Sequence, residues 1–233
     1  ASLGYPRDLQ ERGRVNLKIS RPDDVEMVVL DKQLVTDFFL PSPVEERRST
    51  IPGAGRVVAL QTLFGTVDNC DNPSPVTAVV ELTYSYGDEP SPRHDAFEIA
   101  DTAVLDEIRF QDCTVRRVLE TTTIEFGVPT IIDETVTVDL TITRIDGTDE
   151  FAIDAIKGTV LFGASTPFES GAPERTLRAD ADRLTLPLTF DVNRCDSHAV
   201  AETTKKFGLD LYVAVNGAES QRVPIEIAPI QSD

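Results

Sequence analysis

The stretch "VTAVVELTYSYG", residues 76–87, decides the fold class of this chain. Apolar and polar residues alternate along it, so that Val80 and Leu82 share one face while Glu81 and Thr83 share the other. A period of two places one face of a strand in a core and the other in water, which is typical of antiparallel sheets. We therefore predict a half-buried strand here, followed by a turn rich in Gly and Pro.

The same alternation recurs in four later stretches: "TVTVDLTIT" (135–143), "LTLPLTFDV" (184–192), "LDLYVAV" (209–215) and "VPIEI" (223–227). The dipeptides Asp146-Gly147 and Asn216-Gly217 separate strands and predict hairpin turns. Helical spacing is confined to residues 101–113 and to one turn after Ser197. We predict an all-β fold of two tandem immunoglobulin-like β-sandwich domains with short helical connectors.

The length of 233 residues fits one large domain or two of ordinary size. The two halves are weakly alike, because each runs from a strand through a Cys-Asp corner to further strands. We place an N-terminal arm at residues 1–13, a first sandwich at 14–118 and a second at 119–233. Three irregular stretches, 40–55, 87–95 and 163–182, are candidate binding loops or connectors.

The charge balance narrows the classes of partner. Forty acidic residues against 22 basic ones give a net charge of −18. This disfavours nucleic acid, whose binding depends on Lys and Arg, and it also disfavours anionic membrane surfaces. No apolar run reaches the roughly 18 residues of a membrane span. The simplest role of such an acidic excess is to keep the protein soluble. The alternative is that some of the acidic residues form a patch that binds cations or a basic partner.

The first residues of the chain do not have the pattern of a signal peptide. The chain begins at Ala1, and residues 1–14 lack the apolar segment of a signal peptide. We expect a mature or trimmed product whose targeting segment has been removed. A lipidated cysteine could have preceded Ala1.

Three cysteines allow one disulfide with one thiol left over in an oxidising compartment, or three thiols in a reducing one. Cys195 and His198 would supply two ligands to a metal, whereas a zinc site needs three or four. Asp68 and Asp71, in "VDNCDN", could supply oxygen ligands to calcium, as could the acids of "RADADR" (178–183), although neither stretch has the EF-hand spacing.

The segment "RCDSHA" also has a purely structural interpretation. Asp196 or Ser197 would cap a turn of helix, His198 would form a local hydrogen bond and Cys195 would be buried. We prefer this interpretation and predict no metal site. The corner comprises Arg194, Cys195, Asp196, His198 and Glu202.

A catalytic Cys-His pair would need an orienting acid, for which Asp196 or Glu202 could serve, and an oxyanion hole. No nucleophile elbow lies near Cys195, and the chain contains no phosphate-binding loop, dinucleotide fingerprint or HExxH motif. We therefore predict that the protein is not an enzyme and binds no cofactor.

Three segments in order, "VLDEIRFQDCTVRRV" (104–118), "IKGTVLFG" (156–163) and "RCDSHAVAE" (194–202), resemble a family of uncharacterised actinobacterial secreted proteins and lipoproteins. The resemblance covers nearly the whole chain from about residue 14, and the RCDxHAxAE motif is its most specific part. The chain departs from the family at "EIRFQDC", where the family has a His-containing segment, and at Ser197, where it has Pro. Loss of that histidine weakens any metal site at the first corner.

The resemblance implies an extracytoplasmic β-rich protein and no particular activity. The matching cysteine positions imply a Cys70–Cys113 disulfide, with Cys70–Cys195 as the alternative. Closing the loop between Cys70 and Cys113 would stabilise the fold by about 4 kcal/mol.

Together these patterns predict a non-enzymatic cell-envelope binding or scaffolding protein, secreted or lipid-anchored, whose partner is a protein or an envelope component. The alternative is a metal-binding envelope protein that uses Cys195 and His198 or the acidic loops. The identity of the partner and the oligomeric state do not follow from the sequence.

Overall fold

The computed structural model describes residues 2–4, 13–20, 23–53, 55–71, 74–133, 135–194, 196–202 and 208–226, except for the side chains of Val200 and Glu202. The chain divides into two compact units, Ala1–Asp112 and Cys113–Asp233. The sequence had placed this boundary after residue 118. The predicted all-β sandwich class is confirmed, because the strands form four antiparallel sheets.

The first unit contains two sheets. A three-stranded sheet has the order β1-β2-β5, with β1 at Ser2–Gly4, β2 at Arg14–Ser20 and β5 at Val57–Leu63. A four-stranded sheet has the order β4-β3-β6-β7, with β3 at Met27–Thr36, β4 at Ser49–Ile51, β6 at Ala78–Tyr86 and β7 at Arg93–Glu98. Residues 2–4, which we had predicted as part of an arm, thus form an edge strand that pairs with β2.

The second unit also contains two sheets. The five-stranded sheet has the order β12-β14-β10-β8, and β9 also pairs with β10. Its strands are β8 (Thr122–Phe126), β9 (Thr130–Ile132), β10 (Thr135–Arg144), β12 (Phe162–Ser165) and β14 (Arg183–Val192). The four-stranded sheet has the order β13-β11-β15-β16, formed by β11 (Phe151–Lys157), β13 (Thr176–Leu177), β15 (Gly208–Val215) and β16 (Gln221–Glu226). A single 3-10 turn, Pro173–Arg175, precedes β13.

The alternating positions of the sequence form the cores. In the first unit Val80, Leu82 and Tyr84 are buried, as the pattern of residues 76–87 predicts. In the second unit one cluster combines buried side chains from both sheets: Leu140, Ile142, Phe151, Ile153, Leu184, Leu186, Leu188, Leu209, Leu211, Val213, Val223 and Ile225. Burial of apolar side chains at about 25 cal/mol per Å² is the main favourable term of such a sandwich.

The two predicted glycine turns have different outcomes. Asn216 and Gly217 adopt positive φ angles of 52° and 74° between β15 and β16, so this hairpin prediction is confirmed. Asp146-Gly147 joins β10 to β11, which belong to different sheets. The expectation of a hairpin there was wrong, because the turn carries the chain across the sandwich.

The first helix is much longer than the short connector we predicted. Helix α1 runs from Ala103 to Thr121, 19 residues. The apolar spacing of Leu105 and Ile108, both buried, continues at Val115 and Val118, which contact the second core. A cysteine inside this pattern does not end a helix, so the expected end near Cys113 was wrong. Helix α2, Ser197–Glu202, is a short element as predicted.

The C-terminal half of α1 is held by a carboxylate. Arg117 donates two hydrogen bonds to Asp149, one of them at 3.0 Å, and Asn216 Nδ2 donates to the same carboxylate at 2.7 Å. Burial raises the pKa of Asp149, but the hydrogen bonds from Asn216 and Arg117 outweigh this effect and hold that pKa below its ordinary value.

A β-bulge in β3 places a lysine in the interior of the first unit. The register of β3 against β6 shifts between Val29 and Asp31, so the buried positions change from odd to even numbers. Lys32 therefore occupies a buried position, with 2% of its surface exposed. Burial lowers the pKa of this ammonium group, and the nearby carboxylate of Glu45 opposes the change.

Glu45 links both sheets of the first unit. Its carboxylate lies 3.7 Å from Lys32 Nζ and 2.6 Å from Arg14 Nη1, and it accepts a hydrogen bond from the Leu63 amide at 3.0 Å. The backbone of Glu45 also pairs with that of Lys32. A segment of the predicted loop 40–55 thus lies along β3 and neutralises its buried charge.

We predict that Glu45→Gln lowers the free energy of unfolding by about 3 kcal/mol, because it leaves a buried cation without its counter-charge while keeping an acceptor for the Leu63 amide. The double variant Lys32→Met with Glu45→Gln should recover most of this loss, since an apolar side chain tolerates burial. Urea denaturation of the three proteins measures both effects. Equal destabilisation of the single and double variants would contradict this assignment.

Candidate functional site

The segment "RCDSHA" forms a helix cap. Asp196 is the capping residue of the two candidates, because its Oδ1 accepts a hydrogen bond from the Ala199 amide at 3.0 Å at the start of α2. Arg194 Nε donates to Asp196 Oδ2 at 3.0 Å. The Ala199 amide, and then the Arg194 guanidinium, hold the pKa of Asp196 below its ordinary value. Cys195 and the Glu202 side chain lie outside the described residues.

The candidate metal ligands do not converge within the described part of the chain. His198 is exposed and has a partner of its own. Asp68 and Asp71 are exposed, and the Asp71 amide donates to Asn69 Oδ1 in a local turn. Among residues that the structure describes, no three His, Cys, Asp or Glu side chains form a group that could hold a metal ion. Cys195 lies outside the described residues, so a metal site that includes it stays an alternative hypothesis.

The disulfide implied by the sequence is present between Cys70 and Cys113. Cys70 follows β5 in the chain, and Cys113 lies within α1. Within the first unit, two hydrogen bonds join the segment before β6 to the first half of α1: the Val76 amide donates to Asp106 Oδ1 at 3.1 Å, and Arg109 Nη1 donates to the Ser74 carbonyl at 2.7 Å.

An open apolar groove of about 910 Å³ lies at one end of the second unit, and we refer to it as the end groove. The ends of β8, β10, β12, β14 and β16 and the loop after β8 line it. Its apolar lining residues are Ile124, Phe126, Val128, Pro129, Val136, Val138, Phe162, Phe190 and Val192. Phe162 and Phe190 pack edge to face, with ring centroids 5.5 Å apart.

The end groove is a continuation of the core. Antiparallel partners share a face, and the register pairs Phe126 with Leu140 and Val138 with Leu188. These groove residues therefore lie on the core-facing side of the five-stranded sheet. Along β14 the side chains of that face change from fully buried at Leu188 to 58% exposed at Val192.

Part of this apolar face is therefore exposed. The described pairing of β15 with β16 extends to Gly208 and Glu226, and Glu226 is a lining residue of the end groove. An exposed apolar surface that continues from a core is typical of binding surfaces.

Three acidic residues are among the lining residues of the end groove. Glu125, Asp191 and Glu226 are exposed, and the described lining contains no Lys or Arg. Glu125 and Asp191 alternate along their strands with Phe126 and Phe190, so their side chains lie on the opposite face of the sheet from the groove floor. The floor of the groove is therefore apolar.

Two cavities of the first unit are more polar. A cavity of about 480 Å³ has Tyr84 and Tyr86 in its lining, and their hydroxyls donate to Asp95 at 2.6 Å and to Asp23 at 3.0 Å. The hydrogen bond to Asp95 raises the pKa of Tyr84. In a cavity of about 670 Å³, Asp37 accepts both the amide and the hydroxyl of Thr77. These hydroxyls and carboxylates bind one another within the unit, whereas the end groove presents a larger apolar surface, so the end groove is the stronger candidate.

Sequence reasoning missed the end groove. It considered the stretches 40–55, 87–95 and 163–182, whereas strand ends and the loop 127–129 form most of the groove. A signal was present, because the alternation of "TVTVDLTIT" and "LTLPLTFDV" stays apolar to the ends of both strands and "FGVPTII" (126–132) adds a further apolar run.

No protein-family model and no curated protein sequence matches the chain. Among solved structures, the exo-chitosanase CsxA of Amycolatopsis orientalis is similar at 11% identity and a TM-score of 0.22, over 96% of this chain and 26% of that chain. The exo-β-D-glucosaminidase CsxA, inhibited by a glucosamine-configured castanospermine and an amino-australine analogue, is similar at 10% identity and a TM-score of 0.22, over 91% and 25%. The chain spans about a quarter of these structures, and such low TM-scores carry no argument about activity.

Neither helix of the described chain is both long enough and apolar enough to cross a membrane.

We predict that replacing both Cys70 and Cys113 with Ser lowers the free energy of unfolding by about 4 kcal/mol, because the unfolded chain gains the entropy of the opened loop. Chemical denaturation measures the change. Mass spectrometry of the unreduced wild-type protein should show it lighter than the reduced chain by two hydrogen atoms. An unchanged unfolding midpoint would show that the disulfide does not stabilise the fold.

We predict that the amide resonance of Ala199 reports the titration of Asp196 below the ordinary range of an aspartate. Because the pKa is depressed in the fold, the stabilising effect of the cap is present above the unfolded pKa and is lost as the pH falls through the folded one. Arg194→Ala should raise this pKa but leave it depressed, since the Ala199 amide is the larger cause. An NMR titration in which the Ala199 amide resonance does not follow the protonation of Asp196 would contradict the cap.

Proposed function

We propose that this protein is a non-enzymatic extracytoplasmic binding module of the cell envelope, and that the end groove is its partner site. The observation that carries the proposal is the apolar core face of the five-stranded sheet, which continues into solvent at Val138, Phe190 and Val192. An open apolar surface of this kind gains free energy when a ligand covers it, at about 25 cal/mol per Å².

The chemistry of the lining supports binding rather than catalysis. The described lining has nine apolar side chains and one glycine, and Glu125 and Asp191 occupy strand positions that alternate with the groove-facing Phe126 and Phe190. The candidate catalytic acid Asp196 already caps α2 and pairs with Arg194.

Two features support an extracytoplasmic location. The Cys70–Cys113 disulfide is compatible with an oxidising compartment. The resemblance of "RCDSHAVAE" and its neighbouring segments to secreted proteins and lipoproteins points to the same compartment.

The neutral apolar dye Nile red tests whether the groove accepts apolar groups. We expect its fluorescence to rise on the wild-type protein, and to rise at least tenfold less on a variant with Val128→Lys and Val192→Lys. Val128 and Val192 are exposed by 91% and 58%, so charges there block the groove without disturbing the core.

The matched control carries Val57→Lys and Ile145→Lys, at exposed apolar positions outside the groove lining. It adds the same charge and should keep the dye response. If both variants lose the Nile red response, or if neither does, the end groove is ruled out as the apolar site. Circular dichroism checks that both variants are folded.

A further inference from the structure

We infer that a cavity in the first unit is a second binding site and that its ligand is a neutral pyranose sugar. The cavity is the one of about 480 Å³ whose lining includes Asp23, Tyr84, Tyr86, Arg93 and Phe97, and we refer to it as the aromatic cleft. Small-molecule sites have volumes of roughly 300–1,000 Å³. The inference goes beyond the proposed function, because the end groove belongs to the second unit.

The pairing of β6 with β7 places charged residues on the core-facing side of their sheet. Phe97 pairs with the buried Val80, and antiparallel partners share a face. Arg93 pairs in the same way with the buried Tyr84. Asp95 lies two residues from each and therefore on the same face, and every residue of β7 is exposed. The core-facing side of this edge strand thus presents an aromatic ring, a cation and an anion to solvent.

The polar groups of the aromatic cleft hold one another in place. The Tyr84 hydroxyl donates to Asp95 at 2.6 Å, and the Arg93 guanidinium donates to that hydroxyl. Arg93 Nε also donates to Glu89 at 2.6 Å. A guanidinium has five N–H donors and a carboxylate about four acceptor positions, so both keep capacity for a ligand. Groups that are already fixed lose little conformational entropy when a ligand binds.

The mixture of donors and acceptors favours a neutral ligand with several hydroxyls. Arg93 only donates, whereas the carboxylates of Asp23 and Asp95 only accept. An anionic ligand would meet the two carboxylates and a cationic one would meet the guanidinium, so either is attracted by one group and repelled by another. A hydroxyl both donates and accepts, so a polyol can bind both kinds of group without carrying a charge.

The apolar part of the aromatic cleft favours a ring. Phe97 is 39% exposed, and its ring centroid lies 6.4 Å from that of Tyr84. A pyranose has a face of C–H groups that can pack on an aromatic ring while its hydroxyls point outward from the ring edge. Charges that point inward also protect an edge strand from further pairing. That role would account for Arg93 and Asp95, but it requires no exposed phenylalanine beside them.

Saturation-transfer difference NMR on the full chain tests the inference. The probes are the methyl pyranosides of glucose, galactose, mannose and N-acetylglucosamine. We expect saturable binding of at least one of them, about tenfold tighter than that of tetrahydropyran-2-methanol, which keeps the ring but has a single hydroxyl. The methyl pyranosides of glucuronate and of glucosamine in its ammonium form should also bind about tenfold more weakly than the neutral sugar.

The ring of Phe97 has its own test. Phe97→Leu keeps an apolar side chain but removes the aromatic face, so it should weaken the bound sugar about tenfold. The control Phe110→Leu changes a phenylalanine that is also 39% exposed but lies on α1, outside the cleft lining. The control should leave the affinity within about twofold of the wild type.

The acceptor is tested in the same assay. Asp95→Asn removes the charge that receives the sugar hydroxyls and should weaken binding about tenfold. The matched control is Asp180→Asn, at an exposed position of the second unit. Circular dichroism checks that all four variants are folded.

The outcomes separate this inference from the proposed function. It is overturned if none of the four neutral pyranosides shows saturable binding, or if the glucuronate or glucosamine compound binds more tightly. It is also overturned if Phe97→Leu and Phe110→Leu affect the sugar equally. The Nile red response of the end groove should be the same in Phe97→Leu as in the wild type. Failure of the sugar therefore leaves the end groove standing, and failure of the dye leaves the aromatic cleft standing.

Discussion

A strand of a sandwich can bury one face only, and that face stays buried only as far as the opposite sheet covers it. This constraint shapes the second unit. Leu140, Leu186 and Leu188 lie under the four-stranded sheet and are fully buried, whereas the same face is half-buried at Phe190 and open at Val192. The core and the end groove are therefore two parts of one apolar surface.

In the first unit, a β-bulge turns a charged side chain toward the interior, where its charge must be neutralised. Lys32 is retained in the interior because Glu45 reaches it from a segment that runs along β3. The same carboxylate also contacts Arg14 and the Leu63 amide, so one side chain serves both sheets. A buried ionic group of this kind contributes little net stability but penalises arrangements that leave it unpaired.

The cysteine-histidine corner and the end groove illustrate two uses of polar residues. At the corner, the carboxylate of Asp196 accepts hydrogen bonds from the Ala199 amide and from Arg194, so it serves the local fold. At the end groove, the exposed Glu125 and Asp191 alternate with the groove-facing Phe126 and Phe190, so polar side chains occupy one face of the sheet and leave the other apolar. The apolar surface available to a partner is consequently at the strand ends rather than at the motif that stands out in the sequence.

The sequence by itself determined the strands and their buried faces, because a period of two is a local property that Val80, Leu82, Leu140 and Leu186 display without reference to the rest of the chain. It also determined the Asn216-Gly217 hairpin, since few residues tolerate its backbone angles. Only the tertiary structure decided the inward position of Lys32, the continuation of α1 beyond Cys113 and the open end of the second sandwich. These depend on a bulge, on packing against a distant core and on how the strands of the five-stranded sheet align with one another, and each of them is a relation between segments remote in the chain.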